Sequence, residues 1–548
     1  MTWRVMPTYD RYEQAREEFE WDLPAEFNPA VDFLRKHDDT DRVALRYESP
    51  AGLETYTFRD LDERSDRLAA ALADLGVAEG DRVGVVVPQK PENPLTHLAN
   101  WKLGAISVPL TVLFGPDALQ YRLEDSGATA VVVDPDVRET VEAIRGDCPD
   151  LEHVVELGSA DDVAGDADAF DDLVADYEPG IDVYDATPET PTAIMYTSGS
   201  TGPPKGVLHS HALWLGRAAA AYNYFDQGLH DATLWTPADW AWGAALGGTL
   251  FAAWHNGCTI VGWPRDSFDP EEAFDLLERH GISKALMPPT AIRMLMNVDD
   301  PEDRYDLTLE TIASVGEPLT PEVLEWADES FADLEINEVY GQTELNLVVA
   351  NSSNWFETRP ESMGKPLPGY EATVLDPETR EEVPTGEVGE LALKPDDRRI
   401  FFDEYWGLPE KTAAKQTDDG WFLTSDLVSR DEDGYLWFHS RADDVILTSG
   451  YRVGPMEVES AILEHDAVEQ AGVVGVPDET RGEAIKAYVQ PAVDEFDPET
   501  LREEIRELVR ENLAEYEYPR HIEFVAELPT TSTGKIRRLD LRERETEN

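Results

Sequence analysis

The feature that most constrains this fold is an alternation of short apolar segments with segments of helical periodicity. Residues 58–75 carry apolar side chains at helical spacing, with Asp60 predicted as the helix cap and Gly76 as its stop. Residues 82–87 and 128–133 are short apolar runs typical of buried strands. Because parallel strands need long connections, this alternation predicts an α/β fold with parallel sheets and crossover helices.

The pattern changes twice further along the chain. Near residue 365 it becomes a series of short strand-like segments separated by Gly, Pro and Asp, which predicts a small β-rich subdomain over residues 365–441. Helical and strand patterns return after residue 442. A chain of 548 residues exceeds the size of one hydrophobic core. We therefore expect a large N-terminal domain, residues 1–441, of parallel-sheet α/β subdomains plus the β-rich subdomain, and an α+β C-terminal domain, residues 442–548.

The net charge narrows the classes of partner. The chain has 113 Asp and Glu against 45 Lys and Arg, a formal charge of -68 that is dispersed along the sequence. Nucleic acids and anionic membranes require a basic face, so we expect neither as a partner. Molar salt would screen the self-repulsion, and we interpret the composition as halophilic-type. Since the chain has only 11 lysines, each is a candidate for a specific role.

The cysteines and the apolar segments indicate in which cellular compartment the protein lies. Cys148 and Cys258 cannot form a disulfide framework, which favours a reduced cytosol, and the N-terminus lacks the pattern of a secretory signal. The most apolar stretch, residues 240–263, is interrupted by His255 and Asn256, which predicts a buried helix and strand rather than a membrane span. We expect a cytoplasmic protein without a membrane span. The sequence leaves open whether it forms a homo-oligomer.

A loop at residues 196–206 carries the strongest chemical signal. It reads Tyr-Thr-Ser-Gly-Ser-Thr-Gly-Pro-Pro-Lys-Gly and follows the apolar segment 193–195. Its backbone N–H groups, its hydroxyls and Lys205 would suit a polyphosphate. In a Walker A loop, glycine precedes the lysine and Ser or Thr follows it, whereas Pro204 and Gly206 stand there. This difference disfavours a generic P-loop NTPase.

This loop resembles the phosphate loop of the adenylate-forming (AMP-binding) superfamily, and the resemblance to its acyl-CoA synthetase branch covers nearly the whole chain. Residues 314–318, Ser-Val-Gly-Glu-Pro, resemble the segment that packs on adenine, and residues 340–344, Tyr-Gly-Gln-Thr-Glu, resemble the nucleotide motif. The resemblance implies that Tyr340 stacks on the base, Thr343 contacts the α-phosphate and Glu344 binds magnesium. A carboxylate is the ligand that such a hard cation prefers.

Two further motifs follow in the family's order. Residues 424–426, Thr-Ser-Asp, resemble the ribose clamp, in which Asp426 would accept hydrogen bonds from both hydroxyls. Residues 441–444, Arg-Ala-Asp-Asp, resemble the linker that ends the large domain. The resemblance implies that Arg441 contacts the nucleotide and that Asp443 is a hinge.

Residues 529–538 resemble the family's catalytic lysine loop, which places Lys535 in the catalytic role. A carboxylate that attacks the α-phosphate brings negative charges together, and an ammonium group there lowers the barrier. The resemblance implies that a mobile C-terminal domain then swings about Asp443, withdraws Lys535 and presents residues 449–452. Gly450 would let a pantetheine arm pass close to the backbone.

The resemblance also bears on the two other substrates. Three arginines are candidates for the CoA phosphates, although exposed arginines are as often simple solubilising charges: Arg452, Arg481 and Arg510. In acetyl-specific members a tryptophan replaces Gly341 and closes the acyl pocket, so the glycine implies an open pocket. Trp240 and Trp242 are candidates for lining it, although two such tryptophans are more often core residues. Trp240 stands where medium-chain enzymes often have a smaller polar residue, which leaves the chain length open.

We therefore expect an enzyme that uses ATP, Mg²⁺ and CoA. It would be an AMP-forming acid:CoA ligase for a short-to-medium-chain aliphatic or aryl carboxylate, most similar to medium-chain acyl-CoA synthetases. The expected catalytic residues are Lys535, Thr343, Glu344 and Lys205, with Glu344 as the metal ligand. The expected nucleotide and CoA contacts are Thr197, Ser198, Gly199, Ser200, Thr201, Gly202, Lys205, Gly316, Glu317, Pro318, Tyr340, Gly341, Gln342, Thr343, Glu344, Asp426, Arg441, Ser449, Gly450, Tyr451, Arg452, Arg481 and Arg510.

Two alternatives remain open. The enzyme could load a carrier protein instead of CoA, or the chain could be a nucleotide-binding homologue without activity, against which the presence of Lys535 and Glu344 argues. His209 and His211 could suggest a metal pair, but no further ligands follow at zinc-like spacing. We expect both histidines to be structural.

Overall fold

The computed structural model describes most of the chain. The described residues are 3–163, 165, 167–197, 203–442, 444–448, 451–465, 467–478, 482–493, 496–513, 517–530 and 535–547. They divide into two compact units. The first combines the residues before 198 with Pro204–Glu371 and Lys394–Gln416, and the second combines Ala372–Leu393 with the residues after 416.

The strands follow in chain order. They are β1 Val43–Ser49, β2 Gly52–Thr57, β3 Arg82–Val86, β4 Ile106–Pro109, β5 Ala130–Val133, β6 His153–Glu156, β7 Asp168–Ala169, β8 Pro191–Thr197, β9 Lys205–Ser210, β10 Thr233–Trp235, β11 Thr259–Gly262, β12 Lys284–Met287, β13 Thr311–Val315, β14 Glu335–Gly341, β15 Leu347–Ala350, β16 Ser362–Pro366, β17 Tyr370–Leu375, β18 Gly389–Pro395, β19 Glu404–Tyr405, β20 Phe422–Arg430, β21 Leu436–Arg441, β22 Ile446–Thr448, β23 Tyr451–Val453, β24 Val468–Asp478, β25 Gly482–Pro491 and β26 His521–Phe524.

The α-helices are α1 Tyr12–Glu18, α2 Pro29–Arg35, α3 Phe58–Asp74, α4 Glu92–Leu103, α5 Pro116–Ser126, α6 Arg138–Ile144, α7 Phe170–Asp176, α8 Ala212–Tyr224, α9 Gly243–Ala245, α10 Ala252–His255, α11 Pro270–His280, α12 Pro289–Leu295, α13 Pro301–Arg304, α14 Pro321–Ser330, α15 Pro409–Ala414, α16 Pro455–Leu463, α17 Pro498–Asn512 and α18 Arg538–Glu547. A π-helical turn, Leu246–Phe251, joins α9 to α10, and 3-10 turns lie at Pro135–Val137, Arg145–Asp147 and Arg398–Ile400.

The first unit contains two mainly parallel sheets. In one sheet the strand order is β16-β15-β14-β13-β12-β10-β11-β1-β2, and the pairs from β14 to β1 are parallel. In the other sheet the order is β19-β9-β8-β4-β3-β5-β6-β7, and the pairs from β8 to β7 are parallel. The predicted α/β fold with parallel sheets is confirmed.

The predicted helix over residues 58–75 is α3, but its cap differs from the prediction. Thr57 is the N-cap residue, and its hydroxyl oxygen accepts a hydrogen bond from the Asp60 backbone N–H. The Asp60 carboxylate accepts one in return from the Thr57 backbone N–H. This reciprocal pair is a capping box, in which the acidic residue lies three positions inside the helix.

The apolar stretch 240–263 forms α9, the π-helical turn, α10 and β11. It is buried helix and strand, as predicted. Within the described ranges, no helix has both the length and the apolar character needed to cross a membrane. Cys148 and Cys258 are buried free thiols.

The second unit has a strand region and an α+β region. Strands β18, β20 and β21 pair antiparallel. Further along, β24 and β25 pair antiparallel and β26 adds parallel to β25. Apolar residues of α16 and α17, among them Ile462 and Ile505, pack with Val473 and Ile485 of this sheet. The chain thus has a separate α+β C-terminal domain.

Candidate active site

Three of the predicted motifs follow neighbouring parallel strands of the first unit. The segment at Gly316 follows β13, the nucleotide motif at Tyr340 ends β14, and the segment that contains Trp240 follows β10. Strands β14, β13, β12 and β10 are consecutive parallel neighbours. Their carboxyl ends share one edge of the sheet, which is where open α/β sheets bind ligands.

A β-hairpin carries the predicted phosphate loop. Strands β8 and β9 pair antiparallel, with Thr197 opposite Lys205. Lys205 is the first residue of β9, the strand that follows the predicted loop in the chain. The predicted contacts Ser198, Gly199, Ser200, Thr201 and Gly202 lie outside the described residues.

Tyr405 contacts two of the predicted catalytic residues. Its hydroxyl donates a hydrogen bond of 2.5 Å to Glu344 Oε1, and its ring centroid lies 4.7 Å from the Lys205 ammonium nitrogen. Pairing of β19 with β9 sets this position, because Tyr405 lies opposite Val207. The Phe402 backbone N–H also donates to the Glu344 carbonyl oxygen, at 3.0 Å. The lysine that follows the predicted phosphate loop and the acidic residue of the nucleotide motif therefore both contact the side chain of Tyr405.

Tyr405 is a residue that sequence reasoning missed. It lies 61 positions from Glu344 in the chain, within a strand of two residues. Nothing in the local sequence marks so short a strand, and only its pairing with β9 reveals it.

The surroundings of Glu344 suit a magnesium ion that is shared with a nucleotide. The residue is 9% exposed, and a carboxylate has about four lone-pair sites, so the bond from Tyr405 leaves capacity for a cation. The described part of the chain contains no cluster of three acidic, histidine or cysteine side chains that could hold a metal. Mg²⁺ usually takes one or two carboxylates together with substrate phosphates, which matches this donor set.

The adenine segment is fixed by its backbone and by an acidic side chain. Gly316 has φ of 116°, a conformation that favours glycine. The Glu317 carboxylate lies 3.4 Å from a guanidinium nitrogen of Arg293. Beyond Pro318, the Leu319 backbone N–H donates to the Glu338 carboxyl group at 2.9 Å. Burial raises the pKa of Glu338 to about 8.

Glu338 was not among the predicted site residues. It lies on β14, two positions before Tyr340, and is 4% exposed. The sequence does not single it out, because β14 also contains Glu335 and Asn337. Its role here is to hold the segment that follows β13.

Within the nucleotide motif, Gly341 is required by a close backbone approach. A Cβ at this position would lie 2.2 Å from the Asn346 carbonyl oxygen and 2.9 Å from Leu347 Cα. Tyr340 is half-buried, and its hydroxyl oxygen accepts a hydrogen bond from the Gln342 side-chain amide at 3.3 Å. Close packing against the backbone of residues 346 and 347 thus explains the glycine at position 341, independently of any role in the acyl pocket.

The two tryptophans of the predicted acyl pocket differ in burial. Trp240 is fully buried, and a Cβ at Gly262 would meet its ring at 2.9 Å. Trp242 is half-buried and stands immediately before α9. Trp240 therefore packs as a core residue, whereas Trp242 retains surface that a substrate could contact.

The ribose-clamp residue and the linker arginine are neighbours in the second unit. Asp426 and Arg441 lie opposite each other in the pairing of β20 with β21, and their side chains form an ion pair at 3.1 Å. Asp426 is 3% exposed. Ser425, between Thr424 and Asp426, has φ of 62°, a conformation uncommon for a residue with a side chain.

Lys535 is exposed and leads into α18. The Arg537 backbone N–H donates to the Pro529 carbonyl oxygen at 2.8 Å. Two α18 arginines then reach Asp444. Arg542 bonds it at 2.8 Å and Arg538 lies 3.6 Å away.

The remaining predicted positions of the second unit are less informative. Asp443, Ser449, Gly450 and Arg481 lie outside the described residues. Tyr451 and Arg452 belong to β23. Arg510 is an exposed residue of α17, and its guanidinium lies 4.1 Å from the centroid of the Tyr518 ring.

Five of the eleven lysines form ion pairs with carboxylates. Lys102 is fully buried and bonds Asp62 at 2.7 Å and Asp66 at 2.6 Å. Four others lie within 3.0 Å of a carboxylate: Lys36, Lys90, Lys284 and Lys486. All eleven lysines fall in the described part of the chain, and the two classed as exposed are Lys411 and Lys535.

The paired histidines are buried. Burial lowers the pKa of His209 well below its usual value and that of His211 to about 4. A ring nitrogen of His211 lies 3.1 Å from the Phe27 carbonyl oxygen. Both side chains are thus held neutral inside the first unit.

Comparison with known proteins identifies two profiles along the chain. The profile described as AMP-binding enzyme matches residues 34–401, and that of the AMP-binding enzyme C-terminal domain matches residues 457–535. Acetyl-coenzyme A synthetase of Bacillus subtilis (strain 168) is 37% identical over 96% of this chain and 94% of its own. The mitochondrial acyl-coenzyme A synthetase ACSM4 of Homo sapiens is 37% identical over 95% of this chain and 91% of its own.

Solved structures agree with these matches. The anthranilate CoA ligase AuaEII, in complex with anthranoyl-AMP, has a TM-score of 0.85 at 29% identity and covers 96% of this chain and 98% of its own. A benzoate CoA ligase from Burkholderia xenovorans LB400 has a TM-score of 0.82 at 28% identity, over 94% of this chain and 100% of its own. Profiles, relatives and structures agree, and the chain belongs to the AMP-binding enzyme family.

Proposed function

We propose that this AMP-forming acid:CoA ligase activates a short-to-medium-chain aliphatic or aryl carboxylate. The main support for this proposal is that Tyr405 contacts both Lys205 and Glu344. These three residues belong to the same unit as the sheet edge at which the nucleotide and adenine motifs lie. A cation for phosphate and a carboxylate for a metal are the two charges that ATP requires. The relatives named for acetyl, benzoate and anthranilate substrates support an acid of modest size.

In the first half-reaction, the acid's carboxylate attacks the α-phosphorus of ATP and pyrophosphate leaves. Lys205 and Thr343 bind phosphate oxygens, and Lys535 stabilises the charge that develops on the α-phosphate. Glu344 would hold Mg²⁺, which when bound neutralises phosphate charge. Asp426 binds the ribose, and Tyr340 packs on adenine beside the segment that Glu338 holds.

In the second half-reaction, the CoA thiol attacks the acyl carbon and AMP leaves. We propose that residues 442–548 form a mobile domain that turns about Asp443 and brings residues 449–452 to the thiol. Arg452, Arg481 and Arg510 would bind the CoA phosphates. Such a turn would use one site for both steps, because the lysine of the first step withdraws before the second.

The acyl group would lie beside Trp242, whose half-buried ring can contact an alkyl chain or an aromatic ring. A cytoplasmic location is part of the proposal and agrees with the two buried free thiols. The proposed function is compatible with a monomer or with a homo-oligomer, and light scattering would measure which of the two forms.

The test is a pyrophosphate-release screen in molar KCl with acids from acetate to decanoate and with benzoate derivatives. We expect release that depends on the acid and stoichiometric acyl-CoA when CoA is added. Acid-dependent release without any acyl-CoA would point to a carrier protein as the acceptor, and Arg452→Ala, Arg481→Ala and Arg510→Ala would then be silent. No release with any acid would contradict the proposed function.

A further inference from the structure

We propose that Tyr405 is a positioning residue that keeps the Lys205 ammonium and the Glu344 carboxylate apart and available for a metal–nucleotide ligand. The proposal rests on the proposed function, since it takes ATP as the ligand. Neither the sequence motifs nor the family resemblance pointed to Tyr405.

The hydroxyl of Tyr405 fixes the carboxylate. It donates to Glu344 Oε1 at 2.5 Å, from a side chain that is itself fully buried. A hydrogen bond to an ionised acceptor is short and strong, and a water-poor environment strengthens it further. The bond occupies one oxygen and holds the carboxylate plane in a single orientation.

The aromatic ring of Tyr405 positions the ammonium group of Lys205. Lys205 lies 4.7 Å from the ring centroid, where the negative face of an aromatic ring attracts a cation. Among the described residues, no ion pair joins Lys205 to Glu344. A direct pair would neutralise both groups, whereas a neutral ring between them leaves the cation for phosphate and the carboxylate for a metal.

The backbone of Tyr405 is well held. Its N–H donates to the Thr412 hydroxyl at 2.9 Å, and its carbonyl oxygen accepts from the Leu408 N–H at 2.9 Å. The Phe402 ring packs edge-on at 5.2 Å between centroids. Because these contacts do not involve the hydroxyl, a phenylalanine should occupy the same place.

The experiment compares Tyr405→Phe, which removes only the donor, with Tyr405→Leu, which also removes the ring. Calorimetric titrations in molar KCl measure the Kd of ATP with excess Mg²⁺ and of ATP with a chelator. We expect Tyr405→Phe to raise the Kd with Mg²⁺ about tenfold and to leave the metal-free Kd within about twofold. Tyr405→Leu should raise both.

Tyr224→Phe is the matched control. The Tyr224 hydroxyl is also fully buried and donates to one carbonyl oxygen, that of Gly248, at 2.7 Å. Its loss should leave both Kd values unchanged. Adding Tyr405→Phe to Glu344→Gln should bring no further change, since the hydroxyl acts through that carboxylate.

A folded Tyr405→Phe variant with the wild-type Kd for ATP and Mg²⁺ would overturn the proposal, as would full additivity with Glu344→Gln. Both results leave the proposed function intact, because binding needs neither acid nor thiol. A wild-type protein that binds no ATP would overturn both. If Tyr405→Leu does not fold, Tyr405→Phe alone decides.

Discussion

The Gly341 backbone lies so close to the Asn346 carbonyl oxygen that a Cβ at Gly341 would be 2.2 Å from that atom. Because the obstacle is backbone, a side chain at Gly341 must displace β14 or β15. We expect Gly341→Ala to lower the free energy of unfolding by about 1 to 3 kcal/mol and Gly341→Trp to lower it further. Denaturant unfolding measures this.

Gly146→Ala is the control for that series, since a Cβ there meets nothing within 4 Å. It should change stability by no more than about 0.5 kcal/mol. Wild-type stability for Gly341→Ala would show that the two strands separate readily. The same close approach makes Gly341→Trp a poor probe of acyl specificity.

Specificity is better tested at Trp242. Trp242→Ala should favour longer or bulkier acids, because a half-buried ring that borders the acyl group leaves space when removed; one methylene is worth about 1 to 3 kcal/mol in such a pocket. Trp240→Ala should instead cost about 3 to 5 kcal/mol of stability, as for a core tryptophan. The measurements are kcat/KM over an acid series and unfolding of both variants. Unchanged acid ranking in Trp242→Ala would remove that residue from the pocket.

Lys535→Ala should abolish acyl-adenylate formation and spare thioester formation from supplied acyl-adenylate, because the ammonium serves only the first step. Arg537→Ala removes the same charge two positions away and should leave both half-reactions near the wild-type rate. Rapid-quench assays of each half-reaction make the comparison. Equal losses in the two half-reactions would contradict the separate roles.

We expect the raised pKa of Glu338 to make the stability of the protein depend on pH. Burial raises its pKa to about 8, so between about pH 4.5 and about pH 8 the folded protein keeps a proton that the unfolded chain releases. This group should therefore lower the free energy of unfolding as pH rises across that range, by up to about 1.4 kcal/mol per pH unit, with no further change above it. Glu338→Gln should lack this contribution. Parallel curves for the two proteins in pH-dependent denaturant melts would show that Glu338 is ionised in the fold.

Salt should stabilise the protein strongly. With a formal charge of -68, self-repulsion grows as the screening length rises from about 3 Å at about 1 M salt to about 10 Å at about 0.1 M. Total stabilities are only about 5 to 15 kcal/mol, so a modest gain per acidic cluster matters. We expect the thermal midpoint and activity to rise together with KCl. A midpoint already maximal at about 0.1 M KCl, or an equal rise in a non-ionic osmolyte, would contradict the halophilic interpretation.

Strands buried on both faces could be predicted closely, because apolar runs reveal them directly. The run at residues 82–87 is β3, Arg82–Val86, and the run at 128–133 contains β5, Ala130–Val133. The α3 cap was wrong because Thr57 and Asp60 both suit a helix start, and the sequence does not show which lies outside the helix. The motif positions at the edge of the first sheet also follow from the sequence order.

Contacts between distant segments could not be predicted. Tyr405 reaches Lys205 and Glu344 only because a two-residue strand pairs with the hairpin of the phosphate loop. The bond from Leu319 to Glu338 joins the segment that follows β13 to the neighbouring strand β14, and the sequence does not state that these strands are neighbours. Such relations depend on tertiary pairing, which local patterns do not encode.

The distribution of exposed lysines also allows selective chemical modification of the protein. Nine of the eleven are buried or half-buried, so among the lysines an amine-directed acylating reagent would act mainly on Lys411 and Lys535. Peptide mapping by mass spectrometry could then follow the adducts at Lys411 and Lys535 separately, because the two lysines lie in different proteolytic peptides. The Lys411 adduct would serve as an internal standard, and the yield at Lys535 would report how accessible that ammonium group is in each ligand state, without any measurement of product.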